Sequence, residues 1–218
     1  MDKFLKYLEK QGKINSFKSF QIKIGYRFLD LINNIGNILT PKYKSNKNLE
    51  ILNIEKFDPK VNQLWDDIKD DYYLITEKRE DYLNWRFCDS RGGNNRVWVA
   101  KEGESIEGYI AVKVNKLDPD YPIGYIMEVL SKSGREHVIS MLIEKATNYL
   151  IDEKVVAIYY TINSGHIYAS IINRHGFVDS RREKQVFYKV YRSFEDLELL
   201  KNADSKHINY QFGEFDSI

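Results

Sequence analysis

The chain has little cysteine, little proline and no long apolar run. One cysteine, Cys88, stands in 218 residues. That excludes an intramolecular disulfide framework, and Cys88 by itself cannot build a cysteine-based zinc site. A reducing, cytoplasmic location is the expectation that follows. Four prolines and twelve glycines exclude a collagen-like or linker-dominated chain. No apolar run approaches the ~18 residues that cross a bilayer. The start, Met1-Asp2-Lys3-Phe4-Leu5-Lys6, lacks the unbroken apolar stretch and small-residue cleavage site of a secretory signal. No integral membrane contact is expected. Excess charge of one sign is missing too, since the net charge is +1. Its distribution is uneven: residues 1–50 hold ten Lys and Arg against four Asp and Glu, whereas the remainder nets −5. Such asymmetry marks either an anion-facing arm or a solvated face.

What is present is aromatic and apolar. Sixteen tyrosines, eleven phenylalanines and an apolar share of 43% argue for a packed core and against disorder. Residues 1–50 read as a basic helical extension with a linker. Phe28, Leu29, Leu31, Ile32, Ile35, Ile38 and Leu39 recur at helical spacing up to Thr40-Pro41, where the residue before proline resists helix. Residues 3–10 read as a shorter helix. The polar side of the longer one carries Asp30, Asn33, Asn34 and Asn37 rather than the Lys and Arg of a membrane-surface helix. Packing on the main domain, on a partner protein or on a second copy of the chain is therefore the expected use of residues 1–40.

Residues 51–218 read as one α+β domain. Helices are expected over 59–69, 79–87, 135–151 and 165–175, the last stopped by Gly176. Strands are expected over Arg96–Ala100 and Tyr109–Val114 around the turn Glu102-Gly103-Glu104, then over Ile123–Leu130, Val155–Ile162, Gln185–Tyr191 and Ile208–Phe212. A strand–helix–strand unit from 123 to 162 implies a parallel crossover, and the hairpin implies antiparallel pairing beside it. A mixed central sheet flanked by helices follows.

One string stands out. Arg79-Glu80-Asp81-Tyr82-Leu83-Asn84-Trp85-Arg86-Phe87 resembles the R-D-x-x-L-N-W-R-[FY] signature of one branch of the GNAT superfamily of acyl-CoA-dependent N-acyltransferases. Phe57-Asp58 with Leu64-Trp65 and Gly108-Tyr109-Ile110 agree with the same branch, and the tail Asn209-Tyr210-Gln211-Phe212-Gly213-Glu214-Phe215-Asp216 resembles a degraded form of its W-x-x-x-x-G-D-x-D. The resemblance covers residues 51–216. It implies a GNAT-like sheet, acetyl-CoA as co-substrate, no metal, and a small-molecule amine as acceptor. It also implies a phosphate-holding loop at the helix start after the third of these strands. Here that stretch is Ser131-Lys132-Ser133-Gly134-Arg135-Glu136, preceded by Glu128, Val129 and Leu130, whose backbone is expected to pair with the pantetheine arm. The loop has one glycine where the family has two in register; His137 and Ile139 stand at the expected glycine positions. Phosphate binding and an ordinary helix start both fit it.

For proton removal the candidate is Glu128, alone in the apolar strand Tyr125–Leu130 and sharing a face with Ile126 and Leu130 at strand spacing. A buried structural glutamate is the alternative. For proton donation the family position falls on Ile172; Tyr168, one turn earlier, is the substitute. Trp85, Arg86 and Asp216 are the candidate acceptor contacts, with core packing of Trp85 and Phe87 as the alternative. The histidines at 137, 166, 175 and 207 show no metal-binding spacing. Arg181-Arg182-Glu183-Lys184 is short and broken by an acid, and reads as a solvated turn rather than a nucleic-acid patch. The second functional expectation is a non-catalytic module of the same fold that docks a partner through its N-terminal helices.

Overall fold

The structure, a computed structural model, describes residues 2–20, 48–163, 165–179, 204 and 207–214. The expected helix at 28–39, the expected strand at 185–191, the basic cluster at 181–184 and Asp216 lie outside these residues.

Among the described residues five strands form one sheet in sequence order: β1 (Leu49–Ile54), β2 (Asn95–Glu102), β3 (Ser105–Asn115), β4 (Ile123–Ser131) and β5 (Ala157–Tyr160). The first three junctions are antiparallel and β4–β5 is parallel. This is the expected mixed α+β sheet. β1 is an addition: it begins inside the stretch read as a linker, because Leu49, Ile51 and Ile54 were too few alternating positions to register as a strand. The segment Ile208–Phe212 is not a strand. It makes a single parallel bridge, Leu74 with Ile208, before a short helical turn at Phe212–Glu214.

Helices cover both faces. α1 (Asp2–Lys10) precedes the sheet, and α2 (Val61–Ile68) follows β1. α3 (Glu80–Leu83) continues into a wider turn over Asn84–Cys88. There the Asp89 N–H bonds the Asn84 carbonyl at 2.9 Å, a five-residue step. α4 (Glu136–Asp152) links β4 to β5, and α5 (Ala169–Arg174) follows β5. On one face, Val138, Ile139, Leu142, Ile143, Ala146 and Leu150 of α4 pack on Ile110, Val112, Ile126 and Val129. All ten are fully buried. On the other face, Val61, Leu64, Trp65 and Ile68 of α2 pack with Leu83 and Phe87 against Val97, Val99, Tyr109 and Leu130. Burial of side chains this size contributes about 1.5–3 kcal/mol each, so the two layers hold the sheet from both sides.

One irregularity positions the site. In the β3–β4 register Ala111 faces Glu128 but Val112 faces Ile126, so Met127 is an extra residue on β4. A bulge of this kind interrupts the alternation of side chains. Ile126 therefore packs under α4 while Glu128 and Leu130 point to the α2 face. The expectation that Glu128 shares a face with Ile126 is corrected by this bulge; its sharing with Leu130 stands. Beyond the bulge β4 also leaves β5, since their pairing ends at Ile126 with Tyr160. Among the described residues, no strand meets the β5-side edge of β4 from Met127 to Ser131.

Candidate active site at the open edge of the sheet

The string Leu83–Phe87 is divided among separate tasks. Leu83 and Phe87 are core residues. Asn84 clamps the chain at Phe57: its Oδ1 accepts the Phe57 N–H at 2.8 Å and its Nδ2 donates to the Phe57 carbonyl at 3.2 Å. Arg86 reaches the distant tail, donating from Nε to the Gly213 carbonyl at 2.5 Å. Trp85, for which core packing was the alternative, is 57% exposed. With Arg86, Asp89, Arg91 and Gly92 it lines an open cavity of about 260 Å³. Arg91 beside Asp89 holds that carboxyl down at about 2. Three stretches far apart in sequence, at 57, 84–87 and 213, are thus tied into one corner.

Beneath that corner lies a buried ionic cluster. Glu128 and Lys78 are both essentially inaccessible. Lys78 donates from Nζ to Glu128 Oε2 at 2.7 Å and to Glu214 Oε1 at 2.5 Å. Tyr109 donates to the other oxygen of Glu128, and Thr76 Oγ1 donates to Glu214 Oε2 at 2.6 Å. Burial pushes the Lys78 pKa down, but the attraction of Glu128 and Glu214 more than offsets it, so the net direction is up and the ammonium stays charged. The Tyr82 ring lies 5.2 Å from the same nitrogen. Gly213 closes the cluster from above: a Cβ there would fall 3.0 Å from Glu128 Oε2 and 2.9 Å from the Phe87 ring. Only a glycine lets the tail pass this close.

The open edge of β4 is hydrogen-bonded by side chains. The Val129 N–H donates to Gln211 Oε1 at 2.8 Å, and Gln211 Nε2 donates back to the Val129 carbonyl at 3.0 Å. Two residues on, the Ser131 N–H meets the Tyr168 hydroxyl at 3.3 Å, and that hydroxyl lies 3.5 Å from the Ser131 carbonyl. Tyr168 is buried at the start of α5, with its hydroxyl 3.5 Å from that of Tyr72. Burial raises the Tyr168 pKa, which keeps the phenol protonated.

The helix-start loop follows directly. Gly134 takes a positive φ of 72° in the turn into α4, and Arg135 at the N-cap of that helix supplies no side-chain capping bond. The two cations of the loop are spoken for within the protein. Lys132 Nζ lies 3.1 Å from both Glu107 and Asp67, and Arg135 pairs with Glu107 and Glu102. Ser133 Oγ donates to Asp71 at 2.5 Å. Glu136 occupies the first turn. An anion here would meet backbone N–H groups rather than unpaired side-chain cations.

The structure therefore brings Glu128, Val129, Leu130, Ser131 and Tyr168 to one sheet edge and Trp85 with Arg86 to the adjacent corner. Lys78 and Gln211 went unnoticed in the sequence. Lys78 sits in the charged run Glu77–Asp81, which has the look of a solvated face. Gln211 is a polar residue in a polar tail, and nothing local marks it. Among the described residues no group of three or more His, Cys, Asp or Glu is arranged to hold a metal ion, and no helix is long and apolar enough to cross a membrane.

No protein-family model matches this sequence, and no curated protein matches it. Solved structures do align with it. An aminoglycoside acetyltransferase from an uncultured soil metagenomic sample aligns with a TM-score of 0.47 and 18% identity, over 68% of this chain and 98% of its own. Glucosamine-6-phosphate N-acetyltransferase from Arabidopsis thaliana aligns with a TM-score of 0.48 and 12% identity, over 66% and 100%. A transcriptional regulator from Bacillus halodurans C-125 aligns with a TM-score of 0.49 and 16% identity, over 64% and 100%.

Proposed function

We propose that this chain is an acyl-CoA-dependent N-acyltransferase of the GNAT type, moving an acetyl group from acetyl-CoA to the amine of a small molecule such as an amino sugar or an amino acid derivative. The observation that carries the reading is the edge of β4 from Val129 to Ser131. Among the described residues it is a strand edge without a neighbouring strand, the amides of Val129 and Ser131 are held by single side-chain groups, and it runs straight into the glycine turn at the start of α4. An extended ligand built of amides fits such an edge, since backbone N–H and C=O groups pair with amides. The start of α4, where Arg135 supplies no side-chain cap, suits the anionic end of the same ligand. The resemblance of residues 79–87 to the family signature supports the same assignment.

Acyl transfer from a thioester breaks a C–S bond and forms a C–N bond, with one proton leaving the amine and one reaching the departing sulfur. In this reading Glu128, directly or through water, takes the first proton. Tyr168, kept protonated by burial, gives the second. Trp85 offers a flat apolar face and Arg86, Asp89 and Arg91 offer polar groups at the acceptor cavity; Asp216, outside the described residues, is a further acceptor contact in this reading by its resemblance to the family tail alone. In this reading the domain from β1 onward is catalytic, its first strand taking in Leu49 and Glu50, and the residues before it are a docking extension. Glu128→Gln should lower acetyl transfer by roughly 100-fold or more while leaving acetyl-CoA affinity within about twofold. Undiminished transfer would remove Glu128 from the mechanism.

One observation favours a second reading, a non-catalytic module of the same fold. Both oxygens of Glu128 are engaged, by Lys78 and Tyr109, and Gly213 lies over them. A protein that binds acetyl-CoA yet transfers nothing to any amine would establish it.

A further inference from the structure

The side chain of Gln211 is a primary amide laid on a strand edge. It is fully buried, and all four of its hydrogen-bonding positions are filled. Oε1 accepts from the Val129 N–H at 2.8 Å and from the Tyr160 hydroxyl at 2.8 Å. Nε2 donates to the Val129 carbonyl at 3.0 Å and to Asn209 Oδ1 at 2.9 Å. This reciprocal pair with one residue's N–H and C=O is the contact a neighbouring backbone amide would make. It falls where β4 has parted from β5, so Gln211 fills the vacancy left by the strand that ends at Tyr160.

The residues around Gln211 form a strap that crosses the whole candidate site. It is tied at Leu74 by the Ile208 bridge and the Asn209 N–H. Arg86 ties it again at the Gly213 carbonyl, and Lys78 at Glu214. One residue, Phe212, separates the amide on Val129 from the glycine over the Glu128 carboxylate.

The geometry points to Gln211 as an intramolecular occupant of the amide-binding edge of β4: an amide-containing acyl donor binds by displacing it, and the strap 207–214 lifts from Glu128 in the same event. This rests on the acyltransferase reading and deepens it. Donor entry and exposure of the buried carboxylate become one step, so the donor binds before the acceptor's proton can be taken. A ligand that must displace a fully satisfied group binds more weakly by the population of the open form. Weakening Gln211 must therefore strengthen donor binding, the opposite of what removing an ordinary ligand contact would do.

The test is calorimetric titration of coenzyme A into the full chain, as wild type and as Gln211→Leu. Leucine is near in volume and makes none of the four hydrogen bonds. About tenfold tighter binding by the variant is expected, the size of one or two net hydrogen bonds. Equal or weaker binding by a folded variant overturns the displacement while leaving the acyltransferase reading intact. Binding by neither protein overturns both. Should Gln211→Leu fail to fold, hydrogen exchange of the wild-type chain decides. Coenzyme A should speed exchange in a peptide spanning 207–214; slowed or unchanged exchange there, with binding established, rejects the proposal.

Discussion

Lys78 is the residue on which the buried centre depends most. Two carboxylates, Glu128 and Glu214, share its one positive charge. Removing one partner of a buried pair costs about 3–5 kcal/mol, because the remaining charge is left uncompensated. Lys78→Met should therefore lower the unfolding free energy by about that amount in urea titrations. Adding Glu128→Gln to it should recover part of the loss, since one of the two stranded charges is then gone. A single variant as stable as wild type would mean that the cluster is not ionised as described. The sequence exposed only half of this centre. Glu128 was conspicuous because a lone acid in the strand Tyr125–Leu130 has to find a partner. Lys78 was hidden because its neighbours are charged and its burial is set by Glu214, which lies far along the chain. Trp85 shows a related limit: in a string of core residues nothing local distinguishes the one that turns outward.

At the scale of elements, periodicity revealed most of what it could. α4 was legible because its apolar residues keep helical spacing for four turns, and the hairpin β2–β3 because Gly103 separates two alternating runs. The bulge at Met127 was not legible: it depends on the register with β3, and it moves Ile126 to the opposite face from Glu128. The start of α5 carries its own prediction. His166 is buried, its Nδ1 accepts the Tyr168 N–H at 3.2 Å, and its ring stacks on Tyr72. Nε2 is buried with no hydrogen-bond partner among the described residues. Burial lowers its pKa from 6.5 to about 4. The unfolded chain then binds a proton between these values that the folded chain does not, so stability falls as pH drops from 6.5 towards 4. This one group contributes a loss on the order of 3 kcal/mol across that window. His166→Phe, which keeps a ring and cannot titrate, should flatten this part of the curve of urea midpoint against pH. An unchanged slope would show that His166 is not the group responsible.

For the whole molecule, the sheet and its two helical layers bring distant segments to a single edge. The N-terminal helix reaches the β3–β4 connection, where Tyr7 packs on Tyr121 at 5.6 Å and Lys10 pairs with Asp118 at 3.2 Å. Leu5 of the same helix is buried. The extension therefore touches the end of the sheet remote from the glycine turn of α4. The tail 207–214 acts at the other end, over β4 and the ionic cluster. Its sequence resembled a family motif without telling which residue touched what. Only the fold places Gln211 on Val129, Gly213 on Glu128 and Glu214 on Lys78. The account turns on the β4 edge accepting an acyl donor, and titrating acetyl-CoA into the purified full chain by calorimetry tests that most directly, with ADP and desulfo-CoA as comparison ligands. Saturable binding of acetyl-CoA and desulfo-CoA, with ADP at least about tenfold weaker because it lacks the amide-bearing arm, is the expected result. No binding of acetyl-CoA up to millimolar concentration by the folded chain would contradict it.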